Sequence, residues 1–178
     1  MLESIYFLVG MPSSGKSTLG KLVGRQLNLK FIDLDEEIVA HEGKAITEIF
    51  QTEGEDYFRE LERKCLIDQI NRKEGFVLAT GGGTPCFFDN MTQMNNNGVT
   101  IFLNISLDDL YNKLSNKGMQ KRPLLKDLSK DGLYFELEDK LKIRKKYYQQ
   151  SKITIDQNLG DINERVNQVI LAIKNLKE

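Results

Sequence analysis

Short apolar runs alternate with amphipathic stretches along this chain of 178 residues. Five of the apolar runs have the length of buried β-strands, and they span residues 5–9, 30–34, 76–80, 99–103 and 152–155. Longer stretches between them carry apolar residues at helical spacing. This alternation is typical of β-α-β units, so we expect an α/β fold with a mostly parallel sheet and helices on both of its faces.

Three helices have the clearest patterns. The first spans 16–27, directly after the first apolar run, and the second spans 55–71 with an apolar stripe from Phe58 to Ile70. The last follows Gly160, where Asp161 can cap the helix together with Glu164, three residues further on. We expect these helices to pack on the sheet.

A glycine-containing motif joins the first predicted strand to the first predicted helix. It reads Gly10-Met11-Pro12-Ser13-Ser14-Gly15-Lys16-Ser17-Thr18 and matches the P-loop pattern. In such a loop the backbone N–H groups and the positive end of the helix dipole bind phosphate. The residues expected to contact a nucleotide are Gly10, Ser13, Ser14, Gly15, Lys16, Ser17 and Thr18. The alternative is a glycine turn before a helix, but the strand and helix on either side favour the P-loop.

Within this loop two side chains have specific expected roles. Lys16 would reach the outer phosphates and act in catalysis, and Ser17 would ligate Mg²⁺. Two carboxylates, Asp33 and Asp35, end the second apolar run. As residues of the strand, their two-residue spacing places them on one face at the carboxyl end of the sheet, where ligands bind in α/β folds. One could hold Mg²⁺ through water while the other orients or deprotonates an acceptor hydroxyl.

Two observations bear on this carboxylate pair. The run 76–80 ends without an acid, so Asp33 is the better candidate for the metal. The alternative is that the pair only caps a helix that starts near Glu36. Directly after Thr80 come Gly81, Gly82 and Gly83, which let a ligand approach the backbone closely. A flexible turn would explain these glycines as well.

Three arginines complete the set of candidates. Arg59 lies near the start of its helix, where the dipole disfavours a base unless an anion such as a substrate carboxylate meets it. Arg122 could close onto the transferring phosphoryl group. Arg144 lies on a basic helix whose simplest interpretation is a solvated face. Taken singly, each could be an ordinary surface arginine.

Arg122 belongs to a basic stretch, residues 115–131, that contains Gly118 and Pro123 and interrupts the helical pattern. We interpret it as a mobile lid, because a P-loop enzyme that transfers a phosphoryl group to an acceptor other than water must exclude water when it closes. A solvated surface loop is the alternative.

Composition narrows the class of protein. The chain fits a single domain spanning 1–178, and its net charge of −1 comes from interspersed acids and bases, so neither nucleic acid nor a membrane surface is an expected partner. No apolar stretch approaches the ~20 residues that cross a bilayer, which predicts a cytoplasmic location. Cys65 and Cys86 are expected as reduced thiols, and nothing resembling a zinc site surrounds His41.

The motifs together resemble those of the shikimate kinase family, and they occur in the same order over most of the chain. They are the P-loop 10–18, Asp33-x-Asp35, Gly54-Glu55-x-x-Phe58-Arg59, Thr80-Gly81-Gly82-Gly83, Arg122-Pro123-Leu124-Leu125 and Arg144-x-x-x-Tyr148. The resemblance implies ATP-dependent phosphorylation of the 3-hydroxyl of shikimate, in aromatic amino-acid biosynthesis. It also implies a three-layer α/β/α P-loop kinase with a five-stranded parallel sheet in the order 2-3-1-4-5, a substrate-binding segment at about 34–61, and the lid.

The resemblance further implies roles for single residues in a monomeric, Mg²⁺-dependent enzyme. Lys16 and Ser17 would serve ATP and Mg²⁺, with Asp33 on the metal through water and Arg122 on the phosphates. The acceptor would be bound by Asp35, Arg59, Gly81, Gly82, Gly83 and Arg144. The sequence departs from the family pattern at Ser13, often a glycine, at residues 84–88, and at Lys117 and Lys121, where arginines are common.

Two other functions are compatible with a P-loop. A related small-metabolite kinase, such as a gluconate kinase, would also need a carboxylate clamp and a lid, although Asp35 and two separate arginines favour a rigid cyclic acid. A P-loop switch protein would instead hydrolyse ATP to drive a conformational change in a partner. The missing acid after run 76–80 counts against the switch.

Overall fold

The five apolar runs form one parallel sheet in a computed structural model that describes residues 5–72, 74–117, 130–157 and 161–176. The strands β1 to β5 span Ile5–Val9, Lys30–Asp33, Phe76–Ala79, Val99–Asn104 and Ile153–Asp156. Their order across the sheet is β2-β3-β1-β4-β5. This confirms the predicted fold class and strand order.

The central strand β1 is buried on both faces, as expected for a parallel sheet between two helical layers. Phe7 pairs in register with Leu78 of β3 and with Thr100 of β4. Phe7 and Val9 belong to one buried cluster, whereas Tyr6 and Leu8 belong to the other. The two-residue period of the strand therefore supplies both halves of the core.

Eight helices, α1 to α8, cover the two faces of the sheet within the described ranges. They span Lys16–Leu27, Leu34–Glu42, Ile46–Thr52, Gly54–Ile70, Asn90–Asn97, Leu107–Lys117, Lys130–Tyr148 and Ile162–Asn175. Helices α1 and α8 pack on the face of Tyr6 and Leu8, and the buried residues of α4 and α7 join the cluster of Phe7 and Val9. No helix that the structure describes is both long enough and apolar enough to span a bilayer.

The last helix has the predicted start. The Asp161 carboxylate accepts hydrogen bonds from the backbone N–H groups of Asn163 and Glu164, and the Glu164 carboxylate accepts one from the Asp161 N–H. This reciprocal pair is a complete capping box. The fold of the C-terminal segment is therefore specified locally by its own sequence.

One prediction about an element boundary was wrong. Strand β2 ends at Asp33, and Leu34 already begins α2, so Asp35 lies in the first turn of a helix rather than on the strand. The predicted lid begins inside a helix, because residues 115–117 are the end of α6, and residues 130–131 begin α7. The rest of the lid, including Arg122, lies outside the described residues.

Parallel strands bring their carboxyl ends to one edge of the sheet, and this edge collects the candidate residues. The P-loop leaves β1, Asp33 closes β2, and Thr80 and the three glycines follow β3. The Thr80 N–H and hydroxyl both donate to the Leu8 carbonyl at 3.1 Å, which fixes the start of the glycine run beside the P-loop.

Candidate active site

The P-loop adopts a conformation that depends on its backbone. Gly10 and Gly15 have φ angles of 143° and 100°, in the region that favours glycine. A Cβ at Gly10 would also lie 2.9 Å from the Leu103 carbonyl oxygen, so a side chain has no room there. Ser13, the loop residue that departs from the family pattern, has φ 66°, in the left-handed region that serine rarely adopts.

The loop lysine is held by the loop itself. Lys16 Nζ donates to the carbonyl oxygens of Gly10 and Met11, each at 2.9 Å, and the side chain is buried. Its ammonium group therefore lies inside the curl of the backbone where a phosphate would bind.

Asp33 connects the P-loop to the first turn of α2. Its Oδ2 accepts a hydrogen bond from the Ser17 hydroxyl at 2.6 Å, and its Oδ1 accepts one from the Asp35 N–H at 3.1 Å. Asp33 is thus the N-cap of α2, as the alternative interpretation held, and at the same time the partner of the predicted metal-binding serine. Asp35 lies in the first turn of α2, and this position brings it to the same cavity as Ser17 and Asp33.

Some of the predicted nucleotide and acceptor residues share one cavity of about 750 Å³, whereas Arg59, Gly83 and Arg144 do not line it. Lys16, Ser17 and Asp33 line it together with Asp35. The other lining residues are Pro12, Ser13, Gly15, Thr18, Ile46, Phe50, Thr80, Gly81 and Gly82. The volume suits a drug-sized ligand, since such pockets typically hold ~300–1,000 Å³. The cavity thus joins the P-loop to the segment formed by α2 and α3.

The three glycines after β3 each lie against a different functional candidate. A Cβ at Gly81 would lie 3.2 Å from Asp35 Oδ1, and one at Gly82 would lie 3.1 Å from Arg144 Nη1. A Cβ at Gly83 would lie 2.7 Å from Arg59 Nη1. A flexible turn does not require such close approaches. The glycine run is therefore a surface on which one carboxylate and two guanidinium groups converge.

Arg59 is almost completely buried, and two carboxylates neutralise it. Its Nη1 donates to Glu62 Oε2 at 2.8 Å, while Nη2 and Nε donate to Glu55 Oε1 at 3.0 and 3.2 Å. The guanidinium carbon lies 4.0 Å from the centre of the Phe87 ring, so the cation is stabilised by a cation–π contact with this ring. The anions that offset the helix dipole at Arg59 in this structure are therefore residues of the same helix.

Helix α7 reaches the glycine run through Arg144 and Tyr148. The buried Tyr148 hydroxyl donates to the Gly82 carbonyl at 2.6 Å, and burial raises the pKa of this phenol. Arg144, one turn earlier, is half-buried beside Gly82. A fully solvated face is therefore the wrong interpretation for this part of the basic helix.

Residue-by-residue reasoning missed the support behind Arg59. Glu62 is only 1% exposed, and its second oxygen accepts a hydrogen bond from the Thr84 hydroxyl at 2.5 Å. Asn90 holds Thr84 in turn, by donating to its carbonyl at 3.0 Å. A glutamate three residues after a helical arginine is a usable signal for an ion pair, but nothing in the sequence indicates that Thr84 closes the network.

The cysteines are free thiols, Cys65 buried and Cys86 half-buried. Burial raises the pKa of the Cys86 thiol to about 11, although Arg144 and Arg59 act in the opposite direction. Cys86 is therefore protonated at neutral pH. Among the described residues there is no group of three or more His, Cys, Asp or Glu side chains arranged to hold a metal ion.

Comparison with known proteins agrees with this geometry. The family model described as shikimate kinase matches residues 12–174. A shikimate kinase from Azobacteroides pseudotrichonymphae genomovar. CFP2 is 42% identical over 163 residues, which cover 90% of this chain and 95% of that protein.

Solved structures give the same result. A crystal structure of shikimate kinase from Bacteroides thetaiotaomicron has a TM-score of 0.90 and 37% identity, covering 96% of this chain and 98% of that one. Shikimate kinase from Acinetobacter baumannii, solved in complex with shikimate, has a TM-score of 0.85 and 30% identity, covering 98% of this chain and 95% of that one. The chain therefore belongs to the shikimate kinase family.

Proposed function

We propose that this chain transfers the terminal phosphoryl group of ATP to the 3-hydroxyl of shikimate, giving shikimate 3-phosphate and ADP in aromatic amino-acid biosynthesis. Membership of the shikimate kinase family supports this reaction. The observation that carries the proposal for the site is the shared cavity, in which Lys16 and Ser17 of the P-loop face Asp35 and the glycine run. Donor and acceptor substrates would therefore meet in one cavity.

On the nucleotide side, the loop backbone and the start of α1 would bind the phosphates. Residues Gly10, Ser13, Ser14, Gly15 and Thr18 would contribute through the loop, and Lys16 would exchange its two carbonyl contacts for phosphate oxygens. The charge of Lys16 would offset the negative charge that builds up as the phosphoryl group is transferred.

Ser17 and Asp33 would hold Mg²⁺, with Asp33 acting through water. Their hydroxyl and carboxylate oxygens are 2.6 Å apart, and oxygen ligands are those that this hard cation prefers. Bound there, Mg²⁺ would neutralise charge on the outer phosphates. Asp33 also caps α2, so the same residue would fix the position of Asp35 relative to the nucleotide.

On the acceptor side, Asp35 would orient the reacting hydroxyl and accept a hydrogen bond from it. Arg59 and Arg144 would pair with the carboxylate of shikimate, and the N–H groups of the glycine run would complete the contacts. The convergence of the three side chains on successive glycines supports this division of roles. Catalysis would then depend mainly on positioning and on charge neutralisation.

The lid at 115–131 and its Arg122 remain part of the proposal on sequence grounds alone. We propose that Arg122 closes onto the phosphates and that closure excludes water. We also propose a single-domain cytoplasmic monomer without nucleic-acid or membrane partners.

The experiment that tests the function is an assay of ADP release with shikimate, quinate, gluconate or no acceptor. We expect ADP release with shikimate and little with the other three. A preference for gluconate would favour the related small-metabolite kinase. Rapid ATP turnover without any acceptor would instead favour a P-loop switch, and either result would overturn the proposal.

A further inference from the structure

The two carboxylates that hold Arg59 differ in how easily they can be replaced. Glu62 is 1% exposed at its side chain and is also bonded to Thr84, so it is fixed on two sides. The Glu55 side chain is 56% exposed, and among the described residues its carboxylate bonds only to Arg59. Exposed ion pairs four residues apart on a helix contribute little to stability. Glu55 is therefore the exchangeable partner.

Arg59 itself has little freedom to move away from Glu55. Its guanidinium lies over the Phe87 ring, and its terminal nitrogens are so close to Gly83 that a Cβ there would be 2.7 and 2.8 Å from them. Glu62 holds Nη1 from the buried side. An incoming carboxylate therefore meets a guanidinium whose position is fixed and whose charge two glutamates already offset.

We propose that Glu55 is a built-in competitor for the acceptor carboxylate. In the free protein it occupies the edge of Arg59 formed by Nε and Nη2, and the carboxylate of the acceptor displaces it on binding. This inference depends on the proposed function. Displacement costs the enzyme one weak ion pair, and release of the negative Glu55 side chain into solvent accompanies binding. Glu55 thereby lowers the affinity for anionic acceptors and leaves the nucleotide side unchanged.

The test compares Glu55→Gln with Glu60→Gln by calorimetric titration of shikimate. Glu60 is also exposed on α4, so its substitution makes the same change in net charge away from Arg59. If the contact competes, Glu55→Gln lowers the Kd for shikimate about two- to fivefold, and Glu60→Gln changes it less. The KM for ATP stays the same in both variants, and equal melting temperatures show that both fold.

A second ligand separates competition from a structural role. The methyl ester of shikimate lacks the negative carboxylate, so Glu55→Gln should not tighten its binding. Two results would overturn the inference: Glu55→Gln binds shikimate more weakly than the wild type, or it binds shikimate as Glu60→Gln does. If the wild type is active on shikimate, the proposed function stands in either case. A wild type that neither binds nor phosphorylates shikimate would overturn both.

Discussion

The two halves of the proposed site are built in different ways. The phosphate half comes from one unbroken stretch, residues 10–18, whose shape depends on backbone angles and on the start of one helix. The acceptor half is assembled from α2, α4, the glycine run and α7, which are far apart in the sequence. The first is a local structure, and the second exists only once the chain has folded.

This difference predicts how each half responds to substitution. Backbone N–H groups remain when a loop side chain is changed, so the phosphate half should tolerate substitutions that preserve its φ angles and leave Lys16 and Ser17 in place. The acceptor half consists of single charged side chains without substitutes. Loss of one of them should change one kinetic constant strongly and leave the ATP constants nearly unchanged.

The largest expected effect is that of Asp35→Asn in the acceptor half. We expect kcat to fall by about 10²- to 10⁴-fold, the range for a lost group in acid–base catalysis, because an amide cannot take the proton or orient the hydroxyl as a carboxylate does. Asp35 is exposed at its helix N-terminus, so the fold should survive. Steady-state kinetics with both substrates and circular dichroism would measure this.

Glu36→Gln is the matched control, since Glu36 is the next exposed carboxylate in the same turn of α2. Its kcat should stay close to that of the wild type. Near-normal turnover of Asp35→Asn would show that Asp35 is not the partner of the acceptor hydroxyl, and the roles assigned to the two halves would have to be revised.

A smaller effect is expected from Arg59→Ala, which should act on acceptor binding. Loss of a charged hydrogen bond costs about 1.5–3 kcal/mol, so the KM for shikimate should rise about ten- to hundredfold. Arg63→Ala is the control, because Arg63 lies one turn later on α4 and pairs with the exposed Asp89. The KM for shikimate and the KM for ATP are both obtained from initial rates at varied concentrations of the two substrates.

Arg59→Ala also leaves the buried Glu62 without its cationic partner, so its melting temperature should be measured. Arg144→Ala gives an independent variant, in which the KM for shikimate should again rise. An equal loss of ATP affinity in either variant would contradict the separation of the two halves.

The fold was predictable because strand and helix patterns alternate clearly, and because β1 and α8 carry strong local signals such as the capping box. The end of β2 was not predictable in this way. Leu34 is completely buried, and an apolar residue at that point suits both the end of a strand and the first turn of a helix. Asp33 then caps the helix, so Asp35 reaches the cavity by a route that the two-residue period does not describe.

The same contrast explains which contacts the sequence did not predict. The P-loop could be identified because its residues are contiguous and its chemistry is in the backbone. The contacts of Glu62 with Thr84 and of Tyr148 with Gly82 join residues that are distant in sequence, and only the packing of α4 and α7 on the sheet brings them together. Sequence patterns identify the residues of such a site but not the partners that hold them.

The smallest expected effect, that of Ser13→Gly, tests the phosphate half. A serine in the left-handed region costs about 1–2 kcal/mol of stability, and glycine removes this strain. Glycine also raises the conformational entropy of the unfolded chain, which lowers the free energy of unfolding by about 0.4–1 kcal/mol. We therefore expect a gain in the free energy of unfolding between zero and about 1.6 kcal/mol, or a melting temperature higher by at most about 3–6 °C.

Two controls isolate the cause of that gain. Ser13→Ala removes the hydroxyl but keeps the strain, so it should bring no such increase. Asn28→Gly relieves a similar angle, φ 54°, at a residue type that tolerates it better, so its gain should be smaller. The KM for ATP should be unchanged in all three variants if the loop binds phosphate through its backbone. A several-fold increase in the KM for ATP, in Ser13→Gly and Ser13→Ala alike, would mean that the serine hydroxyl contacts the nucleotide. The phosphate half would then depend on this side chain, as the acceptor half depends on its own.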